Sequence, residues 1–505
     1  MIKKNKRIYA AILLVVLVLL NLSSCASNQT VNLEQPESVS TTLRWLIVGE
    51  RSKSMDGVVA RFNEELQTFL PGTVVEFEVV SKEAYKAKWD MIMSANEPVD
   101  IVWVGNDVFN YTEEVRKGSF MALDYLLETF GQDLTKVIPE EMWEMQKRDG
   151  KIYSVPLKGA LYRKDYAAVT SKSNMEKYGN AEKIMSVNQG KQHSDAESYA
   201  TFGEYLARLD EEHRLGTGVS CDTFIKIADK GYEGIYGQES PFVINIFDKK
   251  LKVYNKYELP SYAEYFKTMH EWYQKGYIRE DIEEVLAPEN DNGILSGNSL
   301  FLDEYGETGV VADEIVTDYE EIRIPLQDYK YISYEAGRNA LAIPRTTEYP
   351  QAAMEVINLL SSTRGEALCK LLANGMQGRH FIQRGDGQID RVTDEKGKVI
   401  YQLSPYIIGD RFLNYENYKG EFEQLEKYNQ EAKRSPLIGF ELDTRMIVLE
   451  MMQVDLIAEE YLAKLKYGTA ENWEEEYKEM LSRMRKAGAS KVIVEIQKQL
   501  DAFEQ

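Results

Sequence analysis

The 505-residue sequence is poor in the residues on which small cross-linked or metal-dependent proteins rely, with three cysteines and four histidines. Three cysteines cannot form the dense disulfide framework of a small secreted scaffold, and a chain this long can build a large core without cross-links. The histidines are His193, His213, His270 and His380, which are far apart and lack the short spacings of zinc ligands. The sequence therefore gives no indication of a metal site or of another cofactor.

Positive charge is also scarce. The chain contains 60 Lys and Arg residues against 82 Asp and Glu residues, a formal net charge of −22 at pH 7. Proteins that bind nucleic acid neutralise phosphates with clustered basic side chains. The excess of negative charge therefore argues against a nucleic-acid partner.

Signatures of catalysis are missing as well. The sequence has no Walker loop, no G-x-G-x-x-G after an apolar strand, no H-E-x-x-H and no G-x-S-x-G. Two of the many carboxylates could flank a glycosidic bond, but their abundance does not indicate which two. An enzyme is not excluded, although nothing in the sequence requires one, and we assign no catalytic residue.

The longest apolar run lies near the N-terminus. A basic cluster at residues 3–7 precedes an uncharged, mostly apolar run at residues 8–22. Such a run is typical of a signal-peptide core and short for a membrane span, which needs about 20 apolar residues. The tetrapeptide that ends at Cys25, Leu-Ser-Ser-Cys, resembles the bacterial lipobox, in which the cysteine thiol is acylated and becomes the mature N-terminus. A lipid anchor on Cys25 is therefore expected, with a membrane helix or an ordinary cleaved signal as alternatives.

A polar segment follows this cysteine. Residues 26–42 are rich in Ser, Thr, Asn and Gln and can bury little apolar surface, so we expect a flexible tether. The expected organisation at this end is a leader at residues 1–24 and a tether at residues 25–42. The remaining chain is long enough for two or three domains. Whether Cys221 and Cys369 pair is left open, with two buried thiols as the simpler expectation.

The body opens with an alternation of strand and helix. Apolar runs at residues 43–49, 73–80 and 99–105 predict three strands, and segments with apolar residues at helical spacing separate them. This order predicts a parallel sheet covered by helices, with right-handed crossovers. Ligands of such sheets bind beyond the carboxyl ends of the strands.

Later segments alternate less regularly. Residues 166–172 and 299–305 favour strands, the polar stretch 179–198 is interpreted as a surface insertion, and residues 380–392 predict a hairpin around an Asp-Gly turn. From Tyr418 onward the chain is predicted to be helical and heavily charged, with the charges on a solvated face.

Several segments together resemble a known family. They are PVDIVWVGNDVFNYTEEVRKGSFMALDYLLETFG, AIPRTTEYPQAAMEVINLLSS, NGMQGRHF, GDRFLNY and RSPLIGFELD. With the lipobox and the tether, they resemble the family 1 extracellular solute-binding proteins of ATP-driven importers in Gram-positive bacteria, in the LplA-like, carbohydrate-type subgroup. The resemblance covers nearly the whole chain after the leader and is weakest over residues 180–250.

The resemblance implies an α/β protein with the two-lobed, type II periplasmic-binding-protein-like fold. Two lobes would be joined by a hinge of two or three chain crossings, with a C-terminal hairpin and helical extension. The expected division assigns residues 43–160 and 331–375 to lobe 1 and residues 161–330 to lobe 2. Residues 376–505 would supply hairpins and helices that pack on both lobes.

The resemblance also implies a function. The expected protein is a monomeric receptor, lipid-anchored on the extracellular face of the cell membrane, that captures a sugar or oligosaccharide and delivers it to the permease subunits of an ABC importer. Alternatives that remain open are a receptor for a peptide or another polar solute, a sensor that signals solute occupancy, and a surface glycosidase or lyase.

A ligand site for a sugar needs hydrogen-bonding side chains at strand ends and aromatic rings for stacking. Scanning the ends of the predicted strands, the crossing between lobes and the family-like C-terminal segments gives eleven candidates: Glu50, Arg51, Trp103, Asn106, Asp107, Tyr305, Glu335, Arg338, Gln377, Arg379 and Arg411. Trp103 could equally be a core residue. We expect about half of the polar candidates to face the cleft.

Overall fold

A computed structural model describes residues 40–105, 108, 110–159, 161, 165–215, 218–237, 239–284, 298–305, 319–336, 339–404, 407–416 and 419–503. The predicted leader and Cys25 lie outside these residues. The described chain forms a two-lobed α/β protein, in which two large clusters of buried apolar side chains mark the two lobes. Within the described residues, no helix is both long enough and apolar enough to cross a membrane.

Lobe 1, built from the described residues between 41 and 161 and between 340 and 432, contains a five-stranded mixed sheet. Its strands in spatial order are Thr73–Val80, Thr41–Val48, Ile101–Val104, Ala340–Ala342 and Ser154–Pro156. The first three are parallel, which confirms the predicted alternation of strand and helix, and the last two run antiparallel to their neighbours.

Helices pack against this sheet with buried residues that recur at helical spacing. The helix Met55–Leu66, for example, buries Val58, Phe62 and Leu66. The other helices of lobe 1 are Lys82–Ala95, Tyr111–Arg116, Asp124–Phe130, Leu134–Val137, Glu140–Gln146, Pro350–Leu360, Glu366–Asn374 and Glu421–Glu431, with 3₁₀ turns at Thr363–Gly365 and Arg411–Leu413.

Two small hairpins complete lobe 1. One pairs Lys147–Arg148 with Lys151–Ile152. The other pairs Phe381–Gln383 with Ile389–Arg391 around the Asp-Gly turn, as the sequence predicts.

Lobe 2, built from the described residues between 165 and 326 and between 437 and 503, contains two sheets. The four-stranded sheet has the order Glu321–Pro325, Asp165–Ser171, Ser299–Tyr305 and Gly218–Val219, and the three-stranded sheet has the order Val253–Asn255, Phe242–Asn245 and Tyr232–Gly234. The strand Gly218–Val219 is parallel to Ser299–Tyr305, and the remaining pairs in both sheets are antiparallel.

The helices of lobe 2 come from the middle and from the end of the chain. They are Lys172–Tyr178, Ala181–Gln189, Ala196–Glu211, Cys221–Ala228, Pro260–Gln274, Val448–Tyr467, Trp473–Lys486 and Ala489–Phe503, with 3₁₀ turns at Lys256–Glu258 and Ile282–Glu284. Val454, Met480 and Ile496 of the last three helices are buried in the same apolar cluster as Tyr262 and Phe266. The C-terminal helices therefore share the core of lobe 2.

The interpretation of residues 179–198 as a surface insertion is wrong. The helix Ala181–Gln189 occupies half of this stretch and buries Ile184 and Asn188. The next helix begins within the stretch, at Ala196. Ala181, Ile184 and Met185 give this helix a short apolar stripe at helical spacing, which the sequence analysis overlooked among the polar residues around it.

The two described cysteines lie in different lobes. Cys369 is buried in the apolar cluster of lobe 1 and Cys221 in that of lobe 2. Their thiols are therefore not joined to each other.

The described chain passes between the lobes at three places, in keeping with the hinge that the resemblance implies. The first passage follows Leu161, and the second and third use the short strands Tyr331–Ile332 and Lys433–Arg434. We call the last two the hinge strands. They pair in parallel, with Tyr331 opposite Lys433 and Ile332 opposite Arg434.

Candidate ligand-binding cleft

The carboxyl edge of the lobe 1 sheet lies at the hinge. Ala340, which enters lobe 1 from the second passage, pairs with both Val104 and Pro156. Val104 is the last residue of a parallel strand, and Pro156 precedes the first passage to lobe 2. Loops that follow the parallel strands of lobe 1 therefore open toward the hinge, where ligands of α/β sheets bind.

The carboxyl edge of the parallel pair in lobe 2 faces the same region. Tyr305, at the end of its strand, is paired with Asp165, which directly follows the first passage. The neighbouring parallel strand ends at Val219, and Ser220 then starts the helix Cys221–Ala228. The carboxyl edges of the two lobes thus converge at the hinge, which defines the candidate cleft.

Three sequence-predicted residues lie together on the lobe 1 side of this cleft. Glu50 and Arg51 follow the strand Thr41–Val48 and are exposed, and Arg51 pairs with Asp56 in the first turn of the next helix. Arg379 is exposed. It lies close to the same helical turn, since a Cβ added to Gly57 would lie 3.9 Å from the Nη1 atom of Arg379. Two guanidinium groups and a carboxylate at one edge provide donors and an acceptor for a polar ligand.

The loop that carries Gln377 and Arg379 is fixed by His380. The backbone N–H of Met376 donates to His380 Nδ1 at 2.8 Å, and the imidazole is buried. Burial and the charge of Arg379 lower the pKa of His380, so its Nδ1 stays an acceptor at neutral pH. Gln377 itself is exposed on this loop.

Trp103 is packed inside lobe 1. Its ring is 5 % exposed and lies edge-on to Tyr85, with 5.9 Å between ring centroids. The Tyr85 hydroxyl donates to the carbonyl oxygens of Leu46 and Trp103, at 2.9 and 3.0 Å. Glycine is required at position 105, since a Cβ there would lie 2.2 Å from the Trp103 ring. This geometry favours the core role of Trp103 over stacking on a sugar. The stacking role stays a prediction.

Arg411 is engaged in an internal ion pair. Its side chain is 4 % exposed, and Nη2 donates to both carboxylate oxygens of Glu421 at 2.9 Å. Its backbone N–H donates to the carbonyl of Lys158, next to the first passage. The structure thus places Arg411 where it joins parts of the hinge region rather than in the open cleft.

The other candidates divide between the hinge and the undescribed residues. Glu335 is 9 % exposed and lies just beyond the hinge strand Tyr331–Ile332. Asn106, Asp107 and Arg338, together with the side chain of Tyr305, lie outside the described residues. Their roles stay predictions.

A second set of residues lies where lobe 2 meets the hinge, and sequence reasoning chose only Glu335 among them. Two small open pockets share Asp229 and Tyr232. Tyr331 lines the first pocket, and Ser333 and Glu335 line the second. Tyr166, which is paired with Glu304 next to the carboxyl end of the strand Ser299–Tyr305, lines the first pocket together with Lys226 from the last turn of the helix Cys221–Ala228. The pockets therefore lie where the carboxyl edge of lobe 2 meets the hinge, on the lobe 2 side of the candidate cleft.

Within the described residues, no group of three or more His, Cys, Asp or Glu side chains could hold a metal ion. The described cleft edge offers exposed hydrogen-bonding side chains on loops at strand ends. This chemistry is suited to binding a polar solute.

Comparisons with known proteins agree with the geometry. Residues 436–505 match a family described as a domain of unknown function, DUF3502. A protein of Streptococcus pneumoniae serotype 4 named "Carbohydrate ABC transporter substrate-binding protein" is 23 % identical over 464 residues, which cover 90 % of this chain and 89 % of the relative. This relative confirms the resemblance to solute-binding proteins of ABC importers that the sequence segments indicate.

Solved structures show the same fold. The N-glycan transport solute binding protein NgtS from Streptococcus pneumoniae aligns with a TM-score of 0.76 at 21 % identity, covering 92 % of this chain and 99 % of that chain. The Streptococcus pneumoniae substrate-binding protein FusA in complex with kestose aligns with a TM-score of 0.59 at 13 % identity, with 92 % and 99 % coverage. These alignments confirm the two-lobed fold over almost the whole chain. The similar proteins are binding proteins of transporters.

Proposed function

We propose that this protein is an extracellular receptor that captures a sugar or oligosaccharide between its two lobes and delivers it to an ABC importer. The observation that carries the proposal is the convergence of the carboxyl edges of both lobes at the hinge. The similarity to a carbohydrate substrate-binding protein over 90 % of the chain supports the sugar as ligand. The exposed Glu50, Arg51 and Arg379 fit a ligand rich in hydroxyl groups, which donate and accept hydrogen bonds.

The receptor binds its solute without transforming it. Closure of two lobes around a ligand is a hinge motion that buries the solute, and the closed form is the one that a permease recognises. Substrate-binding proteins of ABC importers act outside the cell or at its membrane. A lipid on Cys25 keeps this one, as a monomer, beside the permease subunits.

A thermal-shift screen tests the ligand class. Purified protein is melted with a panel of neutral oligosaccharides that includes mannose-containing N-glycan fragments and fructo-oligosaccharides, and with a matched panel of short peptides. Since a ligand at 100 times its dissociation constant adds about 2.7 kcal/mol to the free energy of unfolding, at least one sugar should raise the melting temperature by several degrees. The peptides should leave it unchanged.

The same samples test the absence of catalysis. After incubation, mass spectrometry should recover the binding sugar intact. Stabilisation by peptides alone would favour the peptide receptor. Cleavage products that increase with protein concentration would favour the glycosidase or lyase.

A further inference from the structure

A buried carboxylate lies where both hinge strands meet lobe 2. Glu233 belongs to the strand Tyr232–Gly234 of the three-stranded sheet, where it pairs with Ile244. Its side chain is 3 % exposed. The proposed binding of a polar solute at the strand ends gives the Glu233 carboxylate no role.

Four hydrogen bonds from the hinge converge on this carboxylate. The hydroxyl groups of Tyr331 and Ser333 donate at 2.6 Å, and the backbone N–H of Tyr334 donates at 3.2 Å. Ser435, which follows the other hinge strand, donates its hydroxyl at 2.5 Å. One side chain of lobe 2 therefore holds the segments of both hinge strands, which are about 100 residues apart in sequence.

The contacts fit an ionised carboxylate. Burial raises the pKa of Glu233, and the four donors oppose that rise because they stabilise the charged form. A carboxylate has about four acceptor sites on its two oxygens, so the donors saturate it. Such a group fixes the directions of its partners as well as their distances.

The contacts of the hinge strands with lobe 1 are of a different kind. The side chain of Ile332 is buried in the apolar cluster of lobe 1, and apolar contact is non-directional. Arg434 forms an ion pair with Glu141 of lobe 1 at 3.0 Å, with side-chain exposures of 38 % and 28 %. Water can replace a partly exposed ion pair at little cost. Contacts of this kind can slide or break while both lobes stay folded.

We propose that Glu233 is the positioning residue of the hinge: it clamps both hinge strands to lobe 2, so that the lobes open and close by bending on the lobe 1 side of these strands. The clamp also reaches the cleft. The Ser333 hydroxyl that donates to Glu233 accepts the backbone N–H of Glu335 at 3.2 Å, so Glu233 holds the segment that leads from the hinge into lobe 1.

The test measures the distance between the lobes without any ligand. Spin labels are attached at Glu64→Cys in lobe 1 and Lys478→Cys in lobe 2, two exposed positions, in a chain that also carries Cys25→Ser. The native Cys221 and Cys369 are buried and react poorly. Pulsed dipolar spectroscopy then gives the distribution of distances between the labels.

Glu233→Gln should widen this distribution measurably, because the neutral amide loses the charge that strengthens the four hydrogen bonds from the hinge. The matched control is Asp229→Asn, a neighbouring carboxylate that accepts the Tyr262 hydroxyl at 2.7 Å within lobe 2. The control should keep the wild-type width. A merely structural role would lower the melting temperature of Glu233→Gln and leave the distribution of the folded protein unchanged, which would overturn the proposal.

Ser435→Ala serves if Glu233→Gln does not fold. It removes one donor and leaves the carboxylate with its partners on the other hinge strand, so a smaller widening is expected. A wild-type distribution in this variant would also overturn the proposal. Because no ligand is used, the result is independent of the sugar screen.

Discussion

Asp410 is a buried acid next to the hinge, and its environment makes stability depend on pH. The side chain is 6 % exposed, accepts the N–H of Phe412 at 2.8 Å and lies 4.0 Å from Lys158 Nζ. Burial raises the pKa of Asp410 to about 6, and the attraction of Lys158 opposes this only in part.

The sign of the effect follows from proton binding. An unfolded aspartate titrates near pH 4, so the native state binds more protons than the unfolded state between about pH 4 and pH 6. The contribution of Asp410 to stability is therefore present below pH 4 and is lost as the pH rises through 6.

Asp410→Asn should remove the cost of burying the ionised carboxylate at neutral pH, because the amide carries no charge and keeps an acceptor for the N–H of Phe412. We expect the free energy of unfolding at pH 7.5 to rise by about 1–3 kcal/mol over wild type and the difference to vanish near pH 4. Urea unfolding at several pH values measures it. Glu426→Gln removes an exposed carboxylate 3.9 Å from the same lysine, whose charge adds to the rise in the pKa of Asp410, and should change stability less than Asp410→Asn does. Parallel pH profiles for Asp410→Asn and wild type would contradict the assignment.

At the scale of elements, the carboxyl edge of lobe 1 should supply ligand contacts. A hydrogen bond to a charged group is worth about 1.5–3 kcal/mol. Arg51→Ala and Arg379→Ala should therefore each weaken sugar binding by roughly ten- to a hundredfold. Arg61→Ala is the matched control. Arg61 is exposed on the helix Met55–Leu66, which follows Arg51, and it forms ion pairs with Glu64 and Glu65 of that helix. Calorimetry with the sugar that the screen identifies measures all three variants.

Less than a threefold loss in both cleft variants, with circular dichroism unchanged, would place the ligand elsewhere. An equal loss in Arg61→Ala would indicate that the helix, rather than the edge, had been disturbed.

Elements with a strong hydrophobic pattern could be predicted from the sequence, and elements without one could not. The strand Thr73–Val80 buries alternate residues, Thr73, Val75 and Phe77, and the helix Met55–Leu66 buries residues at helical spacing. The hinge strands have two residues each and pair across about 100 residues. No local period marks such a pair, so the sequence indicates a hinge only through the family resemblance.

The candidate site also divides into residues that the sequence could predict and residues that it could not. Glu50 and Arg51 could be predicted to lie at an exposed edge, because they directly follow a predicted parallel strand and the carboxyl ends of parallel strands lie at one edge of the sheet. Arg411 was chosen from a family-like segment, and its partner Glu421 lies in a helix that forms after a turn. The role of Glu233 depends on partners from two distant segments. Pairings of this kind come from the assembled fold and leave no trace in composition or spacing.

For the whole molecule, the hinge and the anchor serve one task. A receptor that closes on its solute must present the closed form to a permease, and it does so more often when it is confined to the membrane that holds the permease. In the proposed function, a lipid on Cys25 would provide this confinement, and the polar segment that follows it is expected from its composition to act as a flexible tether.

Cys25→Ser tests the anchor. The thioether lipid needs the Cys25 sulfur, so the variant should lack acyl mass and should not be processed by the lipoprotein route. Intact-mass spectrometry and membrane fractionation measure both effects. Ser24→Ala is the control, because it keeps a small residue before the cysteine and should be acylated as in the wild type. An unchanged lipid mass in Cys25→Ser would refute the assignment. The loss of lipid from both variants would show that processing depends on more than the cysteine. Sugar binding by Cys25→Ser and by Ser24→Ala should stay at the wild-type level, because a polar segment such as residues 26–42 is expected to contribute little to the fold that holds the solute.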